Sequence, residues 1–150
     1  MRLPRAAGGT AILERTADAG AYLLRCPLAP MELYSIAKEG SDRGYFMLAY
    51  VPGQVRIVDF YVDSEDREAW RTAIELAVAQ SGRNPTAAEV VSVGSDVFTR
   101  QALLDCGFHP RGSWVLRLRP GKGVELPTIR FHLIDNDFAY LRGKGYTYWA

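Results

Sequence analysis

Residues 45–62 read Tyr-Phe-Met-Leu-Ala-Tyr-Val-Pro-Gly-Gln-Val-Arg-Ile-Val-Asp-Phe-Tyr-Val. Tyr45–Val51 is apolar and aromatic, as strands are, and Pro52-Gly53-Gln54 is turn chemistry. From Val55 to Val62 the alternation predicts Ile57, Asp59 and Tyr61 on one face and Val58, Phe60 and Val62 on the other. Upstream, Leu33–Lys38 is a further strand, followed by turn residues from Glu39 to Gly44. Three strands joined by short turns predict an antiparallel meander.

Outward from that meander the period changes to helical. Ser64 is placed to cap a helix with Glu65, Asp66 and Glu68 in its first turn, near the positive dipole end. Trp70, Ala73, Ile74, Ala77 and Val78 recur at helical spacing, and Ser81-Gly82-Arg83-Asn84-Pro85 ends the pattern. Ala88–Val93 is almost wholly apolar and predicts a strand buried on both faces. Ser95 or Asp96 caps a second helix running to about Cys106, with Phe98, Ala102 and Leu103 inward and Gly107 as its stop. Ser113–Arg119 and Ile129–Ile134 are the last two strands. Thr16–Arg25 suits a short helix capped by Thr16 or Asp18, and residues 1–12 read as a tail. The sum is an α/β (α+β) fold in one domain over 1–150, its core at 33–135, with a mixed, largely antiparallel sheet flanked by helices.

Composition narrows the function classes. The 150 residues carry a formal net charge of +1, so no strong field points to nucleic acid or to an anionic membrane. No apolar run reaches the roughly 20 residues of a membrane span, and no apolar stretch follows the basic residues of Met1–Arg5, so a cytoplasmic location is expected. Cys26 and Cys106 make no disulfide framework and read as reduced core thiols.

The order of elements, with Ala102-Leu103-Leu104-Asp105-Cys106-Gly107-Phe108 closing the second helix, resembles the GNAT superfamily of acyl-CoA N-acyltransferases. Gly44-Tyr45 and Ile57-Val58-Asp59-Phe60-Tyr61-Val62-Asp63 are similar to its third and fourth strands. The chain is similar to variants fused to, or encoded beside, bacterial polysaccharide and cell-surface pathway proteins, which often end in an acidic-aromatic segment like Ile134-Asp135-Asn136-Asp137-Phe138. Such members bind acetyl-CoA or acyl-CoA in a splayed gap between the fourth and fifth strands, its diphosphate on a glycine-rich loop before the following helix. Here that loop reads Ser64-Glu65-Asp66-Arg67-Glu68-Ala69-Trp70: it has no glycine, and three carboxylates oppose a diphosphate. The resemblance places Val62, Asp63, Arg67 and Arg71 as the coenzyme-binding residues. Arg67 and Arg71 are equally explained as exposed or ion-paired helix residues.

The family's general acid, a tyrosine four residues before the glycine of the Gly-Phe pair, is replaced by Leu103. Asp59, Asp63 and Glu89 are candidates for the base. Asp59 stands out because it interrupts an apolar strand, which requires a partner or an aqueous cleft; it reads as an exposed-face or hydrogen-bonded structural residue before it reads as a base. Tyr61, expected on the same face, is its candidate hydrogen-bond donor, or an aromatic packing residue. His109 and His132 lack ligand spacing for a metal, and His109 is expected in solvent. Asp135 and Asp137 read as a capped chain end before they read as a cation site. Arg111, Arg117, Arg119, Lys122 and Arg130 read as solvated strand faces before they read as a nucleic-acid surface. Two functions stand side by side: an acyl-CoA-binding protein or N-acyltransferase, and a non-catalytic GNAT-like module that dimerises through a sheet edge. The second draws on the abbreviated region before residue 33, which is expected to leave that edge open.

Overall fold

A computed structural model describes residues 10–12, 14–113, 128–136 and 139–140. The elements are β1 (Thr10–Ile12), α1 (Ala17–Leu23), β2 (Met31–Lys38), β3 (Ser41–Val51), β4 (Gln54–Val62), α2 (Arg67–Ser81), β5 (Glu89–Val91), α3 (Val97–Asp105), β6 (Thr128–Arg130) and a 3-10 turn at Leu133–Asp135. The fold is mixed α+β. Its four-strand sheet runs β2-β3-β4-β5, antiparallel except for the parallel β4–β5 pair. The expected strand at 113–119 lies outside the described residues beyond Ser113.

The meander forms with two changes of detail. Glu39 and Gly40 both take positive φ, 52° and 76°, so two residues reverse the chain. Strand β3 therefore starts at Ser41, and Ser41–Gly44 belong to the ladder with β2, not to a turn. Gly44 is there for space. A Cβ on it would lie 2.0 Å from the carbonyl oxygen of Tyr61 across the β3–β4 pair.

The second change inverts part of the expected face pattern. Met47 pairs with Asp59 and Leu48 with Ile57, leaving Val58 as the extra residue of a β-bulge. Across a bulge the alternation resets. Ile57 joins Phe60 and Val62 in the cluster against α2 and α3, while Val58 joins Met47, Ala49, Met31 and Leu133 on the opposite face. Strict alternation placed Ile57 with Asp59 and Val58 with Phe60; the inserted residue is why it failed.

Helix α2 buries the expected stripe of Trp70, Ala73, Ile74 and Ala77 on the sheet. Each large side chain covered this way contributes about 1.5–3 kcal/mol. Its cap is Asp66, not Ser64: the Asp66 carboxylate accepts the Glu68 N–H, while Ser64 Oγ accepts the Asp66 N–H one turn earlier. Asp96 caps α3 in a capping box with Thr99. The helix ends as expected. Gly107 has φ 81°, the Phe108 N–H bonds the Leu103 carbonyl and the Gly107 N–H bonds that of Leu104, a Schellman closure. Ala102 and Leu103 are buried, whereas Phe98 is partly exposed, stacking on Trp70 at 6.3 Å.

Three other expectations shift. Strand β5 is three residues long and half-buried, because it pairs only with Gln54–Arg56. Thr10–Ile12, read as tail, form β1 in a parallel pair with β6. The strand expected over 129–134 stops at Arg130, and the 3-10 turn follows. Thr16 does cap α1, accepting the Ala19 N–H. Both free cysteines are half-buried, less enclosed than core residues. No helix among the described residues is long and apolar enough to cross a membrane.

Candidate functional site

The β4–β5 ladder ends at the Arg56–Val91 pair, with Ser92 Oγ donating one last bond to the Ile57 carbonyl at 3.1 Å. Beyond it β4 runs on to Val62 with no β5 residue opposite. This is the place at which the resemblance expects a coenzyme gap.

Residues 130–135 of the same chain lie beside this part of β4. Arg130 sits on the helix side, its guanidinium 4.8 Å from the Trp70 ring centre and its Nε 2.9 Å from Asp96 Oδ2. The Phe131 N–H donates to Ser95 Oγ at 2.7 Å. The His132 ring meets Phe60 edge-on at 5.0 Å, and its Nδ1 is 3.9 Å from Asp59 Oδ1. Leu133 is fully buried on the far face of the sheet with Met47 and Val58. A segment that starts on one face at Trp70 and ends on the other at Val58 crosses the sheet plane beside β4.

Asp59 anchors the far end of this crossing. It is buried, and its partner is Arg15, whose Nε donates to Oδ2 at 2.7 Å and whose Nη2 lies 3.4 Å from Oδ1. The Arg15 Nη2 also reaches Asp135 Oδ1 at 2.6 Å, and Tyr45 Oη donates to Asp59 at 2.8 Å. Burial works against the Arg15 charge, but Asp59 and Asp135 outweigh it and hold its pKa above the ordinary value. Burial, then the Asp59 charge, pushes the Tyr45 phenol up, so it stays a neutral donor. Asp135 Oδ2 reaches back to accept the N–H of His132, the residue that opens the 3-10 turn, at 2.8 Å. His132 itself is buried, its Nδ1 has no hydrogen-bond partner, and burial lowers its pKa.

The residues singled out in the sequence divide into three places. Asp59 lies in the buried network. Tyr61 is half-buried, edge-on to Trp70 at 6.3 Å and donating to Asp63 at 3.3 Å. Val62 is a core residue opposite Gly44, and the Asp63 N–H bonds the Arg43 carbonyl. Arg67 forks onto Asp105 at 2.7 and 2.6 Å. Arg71 lies 2.6 Å from Glu68 and 3.7 Å from Glu75. Asp66, Arg67, Glu68, Arg71 and Asp105 line a shallow open depression at the start of α2. Asp105 is held down to about 2, first by its bond from Arg67.

These residues do not fit the acyl-CoA that the resemblance implies. The Asp66 carboxylate takes the Glu68 amide at the start of α2, both arginines are engaged by carboxylates, and Arg130–Leu133 lie beside β4 where the coenzyme arm would run. Leu103 is core, as its apolar character requires. No group of three metal-ligating side chains occurs among the described residues. His109 is exposed as expected, and Arg111 pairs with Glu89 at 2.5 Å.

Arg15, Tyr45, Arg130 and His132 were not among the residues the sequence singled out for this site. The one available signal was Asp59 itself: a carboxylate inside an apolar strand demands a cation, without saying which. Comparison of the chain with protein-family models, with curated proteins and with solved structures finds no match.

Proposed function

We propose that this chain is a divergent GNAT-like domain acting as a non-catalytic interaction module. The observation that carries this reading is the placement of Arg130–Leu133 beside β4, where an acyl-pantetheine arm would otherwise run. The carboxylate on the Glu68 amide of α2 and the leucine at position 103 support it. Its partner surface is the outer edge of β2, which has no neighbouring strand among the described residues and suits pairing with a second copy.

Titration calorimetry with acetyl-CoA at pH 7.5 tests the coenzyme half of this reading, with no binding heat expected at millimolar ligand; micromolar binding overturns it. Sedimentation equilibrium tests the partner half. A dimer is expected at tens of micromolar, and a strict monomer at millimolar concentration removes the self-pairing edge.

A second reading, an acyl-CoA-dependent N-acyltransferase with Asp59 as base and Tyr61 beside it, is favoured by one observation. The β4–β5 ladder does stop early, at Arg56–Val91. It requires the 130–133 segment to move aside.

A further inference from the structure

The crossing segment is fastened differently at its two ends. On the helix side it has an ion pair with a capping carboxylate, a cation–π contact and one bond from its backbone to Ser95. On the far side Leu133 is enclosed by apolar side chains, and Asp135 is tied through Arg15 to Asp59. Between the two lies His132, enclosed, with a ring nitrogen that no donor or acceptor satisfies.

We propose that residues 130–135 form a strap that closes the β4–β5 gap at neutral pH and releases it in mildly acidic solution, with His132 as the group that takes up the proton. This rests on the reading above that the gap is filled by the chain itself.

The groups facing His132 decide the sign. Asp59 of β4 and Asp135 of the 3-10 turn favour a charged ring, as does Asp96 at the α3 cap from farther off. Arg15, ahead of α1, opposes it and already neutralises part of both nearby carboxylates. Arg130, two residues away, is a second cation, and Tyr45 of β3 spends its proton on Asp59. Enclosure against the Phe60 ring is the largest effect and favours the neutral ring. The closed strap therefore holds His132 neutral, while a released strap exposes an ordinary imidazole that protonates below about pH 6.5. Closure is at full strength above that value and weakens as pH falls through it, by about tenfold per unit for one proton.

Hydrogen–deuterium exchange of wild type and His132→Gln at pH 7.5 and 5.5, corrected for intrinsic exchange, tests the proposal. Wild type should lose about tenfold of its protection in 128–136 and in 57–61, while α2 and the centre of β3 keep theirs. His132→Gln should show no such step. Strap protection that does not change with pH overturns the proposal, as does loss in step with α2, or an unchanged step in the variant. Should His132→Gln not fold, the imidazole titration in wild type decides by NMR: a midpoint at or above the ordinary histidine value overturns it. None of these readouts involves coenzyme A, so acetyl-CoA binding at pH 7.5 would remove the functional reading and leave the strap to be judged by exchange alone.

Discussion

Arg15 and Asp59 are 44 residues apart and form the buried ion pair that ties the segment ahead of α1 to the bulged strand β4. Both side chains are largely enclosed, with 10% and 4% of their surface exposed. A buried pair of this kind adds little over apolar residues of equal volume. Breaking it is costly, because the remaining charge has no solvent.

Arg15→Ala should accordingly lose about 3–5 kcal/mol in urea unfolding, since it strands Asp59 and Asp135 together. The joint change Arg15→Met with Asp59→Leu should lose clearly less than that. Equal losses for the two would mean that the stranded carboxylate charge is not the source of the loss.

Gly44→Ala should cost about 3 kcal/mol, because the added methyl meets the Tyr61 carbonyl and the β3–β4 pair must part to admit it. Chemical denaturation measures this directly, and a neutral substitution would show that β4 bends away there at no cost.

Much of this fold is legible in the sequence because its signals are local. The Pro-Gly turn, the Trp70–Ala77 stripe and the Gly107 stop each act within a few residues, so pattern alone finds them. The bulge at Val58 is not local in that sense. An apolar residue followed by Asp59 reads as ordinary alternation, and only the pairing with Met47 and Leu48 shows that one residue is extra. The site is less legible still. Arg15 stands beside a helix cap with nothing to mark it, and His132 sits in a stretch that alternates like a strand. Both matter because Arg15 and the 132–135 segment meet at Asp59, a long-range fact that residue spacing does not encode.

Gly107→Ala should destabilise by about 1–2 kcal/mol, the cost of a left-handed backbone at a residue with a Cβ. Open space around the position means no steric penalty adds to it. Thermal unfolding of the purified variant checks the figure.

Asp96→Ala removes the α3 cap and the partner of Arg130 at once. The loss expected is about 2 kcal/mol, at the upper end for a cap. Asp96→Asn keeps the cap and should recover most of it. If it recovers nothing, the Arg130 contact outweighs the helix end.

Nuclear Overhauser contacts at pH 7.5 test the strap beside β4 most directly. Contacts between the His132 and Phe60 rings, and between Arg130 and the Trp70 indole, should be present and should persist unchanged in millimolar acetyl-CoA. Their absence, or their loss as the Asp59–Tyr61 amides shift on adding acetyl-CoA, would contradict it.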